Sequence, residues 1–430
     1  MHHTALYASL ATLLGITVPA AGQAPPPLDD PGLLHYVGQV LENNAALAAD
    51  GADLRAAVER IAPAGALPDP TLFLGMMSVP VPSFDFDAEA MTQLPIGIRQ
   101  AFPFPGKQGA RTAVARGDSA LALARVELTS ASITSQAAQA FFELAFARSA
   151  LSVWEGRLEL ADQAITTATA RYETGRAPQA DLLRAELSRA GLEEERHQFA
   201  ATVTVAIARA DALRGGPGTP LEVPTLAGAE VPAVRAVLAD SLAALERLQA
   251  VLITGNPALV ESAARVDRAR SVSHLHDIAA RPDFSVHLQN GIRFGGREPF
   301  LSLVFGMSLP FWSGRKQSPA ARAAVLDLES TQKRHEDLQV RLASELEGQV
   351  AELDALRERV RDLRDRVIPL AAAAGTSALG SYGAGELDLT AVLDAQDEQF
   401  RAELRLAGLV ASYSARRAAL EALLGEEWYR

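Results

Sequence analysis

Two short segments contain residue types that occur in phosphate-binding and metal-binding sites. "FPFPGK" places Gly106 and Lys107 at the start of a predicted helix, as phosphate-binding loops do, and "HLHD" (His274 to Asp277) offers two imidazoles and a carboxylate to a metal. The first lacks the GxxxxGK[ST] spacing of a phosphate loop. The two histidines of the second lie two residues apart and so point to different faces of a helix. No GxSxG, HExxH or Ser/His/Asp grouping stands out. We therefore expect no enzyme activity, no cofactor and no metal site.

Composition narrows the class of protein further. The chain has 430 residues, 48% of them apolar but only 6% aromatic, and Ala, Leu, Arg and Glu are abundant. This mixture is typical of long helices and coiled coils. A formal net charge of −12 argues against nucleic acid as a partner, because a nucleic-acid binder needs a basic face. With no cysteine, disulfides, zinc–thiolate sites and a lipid-modified N-terminal cysteine are all excluded.

The N-terminal segment resembles a secretory signal peptide. An apolar run from Ala5 to Val18 is followed by small residues, which predicts a signal over 1–24 with cleavage near Ala21 to Ala24. No later stretch reaches the roughly 18 consecutive apolar residues of a transmembrane helix. The chain is thus expected to be exported without a helical membrane span.

Four landmarks occur twice, in the same order and about 210 residues apart, which indicates an internal duplication. The paired segments are "NNAAL" and "GNPAL", "LPDPTLFLG" and "RPDFSVHLQ", "FPFPGKQ" and "LPFWSGRKQ", and "RYETGRAPQADLLRAEL" and "SYGAGELDLTAVLDAQ". We therefore predict two structural repeats, 25–214 and 233–430, joined by a Gly/Pro-rich linker over 215–232.

Each repeat is predicted to contain a short helix, two strands, a very long helix, a polar turn and a medium helix. Lys107 to Arg171 and Lys316 to Ser381 are helix-permissive throughout. About 65 helical residues make a rod of roughly 100 Å. Apolar residues recur at spacings of three and four within both rods, which favours coiled-coil packing. Gly156, Gly348 and Pro369 are the expected positions of kinks.

The four predicted strands alternate apolar and polar residues. They cover Thr71 to Val79, Thr92 to Phe104, Asp283 to Phe294 and Phe300 to Phe311. Their lengths suit tilted membrane strands of about 9–11 residues. On the polar face, Arg99, His287 and Arg293 would then line a water-filled barrel lumen.

Four strands cannot close a barrel alone. A half-buried sheet in a soluble domain is one alternative, but no other segment could cover its apolar face. In a bilayer, four strands would leave two unpaired edges, so closure requires copies of the chain. Two copies would give eight strands filled by their own side chains, whereas three would give twelve with room for a lumen. A conduit therefore favours a homotrimer.

Nearly the whole mature chain resembles the TolC-like outer membrane efflux protein family. The features that carry this resemblance are the duplicated unit, the two glycine-containing tips, the "NPAL" run and "QAFPFPGK". The sequences "FPFPGK" and "GRAPQADLLRAEL" are similar to those of the heavy-metal cation branch of this family. The resemblance implies a 12-stranded trimeric β-barrel in the outer membrane, above a periplasmic barrel of coiled-coil helices. It also implies a passive exit duct, possible cargoes being metal cations.

The same resemblance implies partners and site residues. The duct would receive substrates from an inner-membrane pump of the resistance-nodulation-division type through a periplasmic adaptor (membrane fusion) protein, with outer membrane lipid around the barrel. In the family, the tips of the two helical hairpins dock the adaptor. The matching residues here are Tyr172, Gly175, Asp181, Leu183, Tyr382, Gly385 and Leu393.

The family also narrows its periplasmic mouth with acidic residues after the second tip. Asp394 matches one such position, Ala391 stands at the other, and Glu386 and Asp388 are nearby acids that could compensate. Ala391 leaves the charge of the constriction, and any cation preference, open. The alternative function is a soluble periplasmic coiled-coil scaffold, which would explain the rods but not the alternating strands.

Overall fold

A computed structural model describes residues 30–81 and 83–425 of the chain, so the predicted signal peptide lies outside the described residues. The helices of the first half are α1 (Pro31–Asn43), α2 (Ala45–Glu59), α3 (Ile61–Gly65), α4 (Lys107–Glu173) and α5 (Gln179–Leu213). Those of the second half are α6 (Pro232–Ala239), α7 (Leu245–Gly255), α8 (Pro257–Ile278), α9 (Gln317–Asp362), α10 (Ile368–Ala384) and α11 (Leu389–Leu424).

Four strands form one antiparallel sheet in chain order. They are β1 (Thr71–Leu74), β2 (Leu94–Phe102), β3 (Phe284–Ile292) and β4 (Phe300–Met307), so β1 and β4 are the open edges. All four are shorter than predicted. The first loses most, because Pro95 of β2 lies opposite Gly75 and proline cannot donate to a strand ladder, so Gly75 N–H donates to the Pro95 carbonyl at 3.1 Å without a return bond. Beyond β1 only a single bridge, Met77 to Gln93, continues the pairing.

The helices form rods on one side of this sheet. α4 has 67 residues, about 100 Å, and α2, α5, α8 and α11 all pack along it. Shorter helices therefore line the long one. The second rod is interrupted by a π-helical turn at Leu363–Val367, just before Pro369, whereas the helix runs on through Gly156 and Gly348. A proline lacks the N–H that would continue the ladder, so the kink occurs where it stands.

The main apolar core lies midway along the rods. Tyr36, Phe141 and Leu144 are buried there in one cluster with residues of α11, and the Tyr36 hydroxyl donates to the Ala210 carbonyl at 2.9 Å. The predicted linker, 215–232, forms neither helix nor strand up to Val231, and α6 begins at its last residue, Pro232. It is not free, since the buried Leu226 N–H donates to Ser149 Oγ at 2.8 Å. The division of the chain into two repeats stays a prediction.

A buried charged cluster fixes α6 and α7 to α11. Arg417, almost fully buried, contacts Asp240 at 3.0 Å and Glu421 at 2.8 Å. The Tyr413 hydroxyl donates to the same Asp240 carboxylate at 2.7 Å. Both its burial and Asp240 raise the pKa of Tyr413. Because removing one partner of a buried ion pair leaves the other uncompensated, this cluster holds the segment after the linker in one place.

Candidate functional site: hairpin tips and sheet faces

The two hairpin tips have the same backbone. In the first, Gly175 N–H donates to the Tyr172 carbonyl at 2.9 Å and Arg176 N–H to the Arg171 carbonyl at 2.8 Å. In the second, Gly385 N–H donates to the Tyr382 carbonyl at 3.0 Å and Glu386 N–H to the Ser381 carbonyl at 2.9 Å. Both glycines have positive φ, +67° and +86°. This is the Schellman ending of a helix, in which glycine adopts the left-handed conformation without steric cost.

The helices that leave the two tips begin differently. Asp388 caps α11 by accepting a hydrogen bond from Ala391 N–H at 2.9 Å. At the matching position of α5, Pro178 provides no side-chain cap. The N-terminus of α11 is therefore more stable than that of α5, since the capping carboxylate accepts a hydrogen bond from an N–H that has no partner within the helix.

A small apolar cluster, here called the tip core, joins the two hairpins within the chain. Its buried residues come from α4, α5, α10 and α11, and are Ala164, Ala185, Ala378, Tyr382, Leu389 and Val392. The alanines let the helices approach closely, and the Tyr382 ring fills the space between them. Burial raises the pKa of the Tyr382 hydroxyl, and the nearby Asp181 carboxylate raises that pKa further.

Arg171 connects the first tip to the second, and the sequence reasoning did not single it out. Its guanidinium donates to the Tyr382 carbonyl and lies over the Tyr382 ring, 4.3 Å from the centroid. It also donates to the Arg176 carbonyl at 3.2 Å. A cation in the last turn of a 67-residue helix, one residue before the repeated tyrosine, was the available signal. Arg171 thus connects the two tips within the chain, together with the tip core and a hydrogen bond from Arg184 Nη1 to Thr390 Oγ1 at 3.1 Å.

The residues predicted to dock the adaptor divide into two groups. Tyr172 is 43% exposed and Leu183 55% exposed, and both glycines are exposed. Asp181 and Leu393 are half-buried, while the Tyr382 side chain is only 1% exposed. Tyr382 therefore belongs to the interior of the tip, whereas Tyr172 and Leu183 lie at the surface of the first hairpin.

The three acids predicted for the constriction all lie on the second hairpin and are exposed. Within the described part of the chain, Glu386, Asp388 and Asp394 form no ion pair, although Asp388 is engaged as the cap of α11. By contrast, Asp397, one turn further along, pairs with Arg157 of α4 and with Arg401 at 2.6 Å. The negative charge near the second tip is thus left for solvent or for another molecule.

The register of the sheet sorts its residues onto two faces, because directly opposed residues point to the same side. One face is apolar and mostly exposed. It consists of Leu72, Leu74, Leu94, Ile96, Ile98, Phe102, Phe284, Val286, Leu288, Ile292, Leu301, Leu303, Phe305 and Met307, interrupted by Gln100 and Asn290. The predicted alternation holds in every strand.

The other face carries the predicted lumen residues. Arg99 and His287 stand opposite each other in the β2–β3 register. The Phe73 ring meets His287 edge-on at 4.4 Å. Arg293 is placed differently from the prediction, because β3 ends at Ile292. Its guanidinium lies in the following loop, donates to the Ala90 carbonyl at 2.7 Å and covers the Phe300 ring at 4.3 Å. It joins the two loops at the far end of the sheet.

"FPFPGK" forms the base of the sheet. The Lys107 amine contacts Asp283 Oδ1 at 2.9 Å and the Arg281 carbonyl at 2.6 Å, and Phe104 N–H donates to the same carboxylate oxygen at 2.8 Å. The lysine is buried by these contacts, so it links β2 to β3 and does not face a phosphate. No described helix has an apolar stretch that would span a bilayer. Among the same residues, no cluster of acidic and histidine side chains could bind a metal ion.

Comparisons with known proteins agree with this architecture. Residues 36–215 match the family model described as outer membrane efflux protein. The cobalt-zinc-cadmium resistance protein CzcC of Cupriavidus metallidurans is 23% identical over 320 residues, 74% of each chain.

Solved structures are similar over nearly the whole fold. The outer-membrane channel OprN superposes with a TM-score of 0.77 at 18% identity, covering 97% of this chain and 100% of its own. CusC, described with transmembrane channel formation, gives 0.79 at 15% identity, covering 96% and 98%. VceC of Vibrio cholerae gives 0.75 at 18% identity, covering 92% and 96%.

Proposed function

We propose that this chain, which belongs to the outer membrane efflux protein family, is one subunit of a trimeric exit duct. The protein resides in the outer membrane with a large periplasmic helical part, and it is a passive channel, not an enzyme. Channels of this family work with a periplasmic adaptor and an inner-membrane pump. In the proposal, three copies of the sheet close one barrel of twelve strands.

The observation that carries this proposal is the exposed apolar face of the sheet. In water, a contiguous face of leucine, isoleucine and phenylalanine side chains would be unfavourable, whereas lipid solvates it. The open edges β1 and β4 must also be paired in a bilayer, and pairing β4 of one copy with β1 of the next satisfies both. A soluble scaffold leaves the same face uncovered.

The hairpin tips form the periplasmic end in this arrangement. Three chains bring six tips into one ring, in which Arg171 closes the contact within each chain. The exposed Tyr172 and Leu183 then face the neighbouring chain or the adaptor. We assign Glu386, Asp388 and Asp394 to the lining of the narrow mouth, where unpaired carboxylates favour cations over anions.

Divalent metal cations are the cargo class to test first. CzcC is described as a cobalt-zinc-cadmium resistance protein, and it matches three quarters of this chain. A passive duct requires no metal site of its own, because the pump selects what enters. The transported species therefore follows from the pump and adaptor with which the duct is paired.

Two experiments test the function. Outer membrane fractions should contain a trimer that dissociates to monomer only on heating in detergent. Deleting the chain should lower tolerance to cobalt, zinc and cadmium. A monomer in the soluble fraction would contradict the duct, and unchanged metal tolerance with lowered drug tolerance would contradict only the cargo.

The constriction has its own test in planar bilayers. Replacing Asp394 by Asn removes one charge per subunit, and we expect lower cation selectivity, read as a smaller reversal potential across a KCl gradient. Asp337→Asn is the matched control, since that acid sits in an exposed pair with Arg341 on α9. Equal effects of the two substitutions would make Asp394 an ordinary surface acid.

A further inference from the structure

The two turns that lead from the sheet into the long helices have related sequences but opposite environments. The first is "FPFPGK", Phe102 to Lys107, and the second is "LPFWSGRK", Leu309 to Lys316. In the first turn Phe104 is half-buried and Lys107 is buried. Phe104 lies 6.5 Å from the Phe284 ring and beneath Arg281 at 5.6 Å, and Lys107 is ion-paired with Asp283.

In the second turn the same residue types face outward. Phe311 is 80% exposed and Trp312 73% exposed, and neither contacts another ring among the described residues. Arg315 and Lys316 are exposed, and within the described part of the chain they form no ion pair. The turn, here called the aromatic ledge (309–316), is nevertheless ordered.

Backbone hydrogen bonds hold the aromatic ledge in shape. Both Arg315 N–H and Lys316 N–H donate to the Trp312 carbonyl at 3.0 Å, and Ser313 N–H donates to the Pro310 carbonyl at 3.0 Å. Two large aromatic side chains and two cations are therefore presented together by a compact turn. Exposing them in water without partners has no structural benefit for a single chain.

The position of the ledge indicates what covers it. It directly follows β4, whose Leu301, Leu303, Phe305 and Met307 are all exposed on the apolar face. The apolar surface thus continues into two aromatics and ends in two cations, before α9 turns into the periplasmic rod. In membrane proteins, apolar residues face the hydrocarbon core, and aromatic and then basic residues follow at the interface with water. The ledge has the same order.

We propose that the aromatic ledge is a phospholipid-binding surface. Phe311 and Trp312 occupy the headgroup region of the periplasmic leaflet, and Arg315 and Lys316 bind the phosphates of anionic phospholipids there. The proposal rests on the proposed membrane insertion of the sheet. Phospholipid fits better than a second copy of the chain, because two adjacent unpaired cations beside an amphipathic indole match a phosphate-bearing interface.

Brominated phospholipids in reconstituted vesicles test the aromatic part. Bromine quenches tryptophan only on contact, so the difference between wild type and Trp312→Phe isolates the emission of this one indole. We expect phosphatidylcholine brominated near the headgroup end of its chains to abolish most of that difference. Blue emission without quenching would place Trp312 under a second copy of the chain, and red emission quenched by iodide would place it in water; either result overturns the proposal.

A second reporter separates this proposal from the proposed function. Phe305→Trp, made in the Trp312→Phe background, reports whether the β4 face is in lipid. Quenching at position 305 without quenching of Trp312 would contradict lipid binding by the aromatic ledge but would still support insertion of the sheet in the membrane. Absence of quenching at both positions contradicts the duct itself.

The cations are tested with mixed vesicles in which only one lipid is brominated. In wild type, brominated phosphatidylglycerol should quench Trp312 more strongly than brominated phosphatidylcholine at equal mole fraction. Arg315→Gln with Lys316→Gln should lower that preference by about fivefold for each cation removed. The control, Lys333→Gln with Arg341→Gln, removes the same charge from α9, where both are engaged in exposed ion pairs. An unchanged preference, or an equal fall in the control, overturns the assignment.

Discussion

The two hairpin tips share a backbone and differ in what surrounds it. Tyr382 is buried in the tip core beneath Arg171, whereas Tyr172, at the matching position, is exposed. The residue that matches Arg171 in the second repeat is Ser381, which cannot make the same contact. The second tip thus buries its tyrosine under a cation from the first, whereas the first contributes Ala164 and Ala185 to the tip core and leaves its own tyrosine exposed.

This difference shows how a repeated motif can serve two interfaces. Between the hairpins of one chain, small alanines and a buried tyrosine give a close contact. On the outer side of the first hairpin, Leu183 and Leu187 remain exposed on α5. An exposed apolar strip on an otherwise polar helix is the usual sign of a partner. In the proposed ring, this strip is available for the contact between chains.

Removing Arg171 should reduce the difference in local stability between the two tips more than any other substitution. Arg171→Ala loses the hydrogen bond to the Tyr382 carbonyl and the cation–π contact, together about 2 kcal/mol of local stability. The second tip should then exchange its amide hydrogens as readily as the first, measured by hydrogen-exchange mass spectrometry in detergent. Arg176→Ala, which removes an exposed cation of the same loop, is the control. Continued protection of the second tip would show that the alanine packing alone holds it.

Substitutions of the tip glycines should have the next largest effect on the local stability of the tips. Gly385→Ala forces a side chain into the left-handed conformation and towards Arg171 Nη2, 3.4 Å from the new Cβ, at a cost of about 1 to 2 kcal/mol. Gly175→Ala meets no neighbour and should cost no more than the backbone term. Gly383→Ala, within helical backbone and open space, should instead stabilise α10 by roughly 0.5 kcal/mol. Equal local exchange rates for the three variants would refute the assignment of the left-handed turn.

A smaller effect separates the two roles of Asp388. Asp388→Ala loses the cap of α11 and should destabilise the tip by about 1 kcal/mol, whereas Asp388→Asn keeps the cap. If the charge also acts at the pore mouth, both variants lower cation selectivity, but only the alanine variant speeds amide exchange. Faster exchange in the asparagine variant would mean that the carboxylate, not the hydrogen bond, stabilises the helix start.

The sequence was sufficient for the features that depend on local pattern. Alternation placed the apolar face of every strand, because the side-chain period of a strand is two residues. The glycines marked both tips, because few other residues accept positive φ. The long rods followed from uninterrupted helix-permissive segments, and the kink from Pro369.

The features that it missed depend on contacts between distant segments. Tyr172 and Tyr382 have the same local sequence signature, so only the packing of the two hairpins in the tip core could show that one is buried. Lys107 and Lys316 likewise match in sequence, yet Asp283 buries the first and no described acid pairs with the second. Arg293 moved from strand to loop because β3 ends at Ile292, a boundary that alternation does not define.

Closure of the barrel by three chains is the central claim, and disulfide trapping tests it most directly. The chain has no cysteine of its own, so a pair introduced at the two open edges reports only their approach. Leu72→Cys on β1 would be combined in turn with Leu301→Cys, Leu303→Cys and Phe305→Cys on β4, which covers the possible registers. Oxidised outer membranes should yield, for at least one pair, a covalent species of three chains that heating in detergent does not separate. Leu72→Cys alone should yield at most two linked chains. Only monomers for every pair, or a ladder extending beyond three chains, would contradict a closed trimeric barrel.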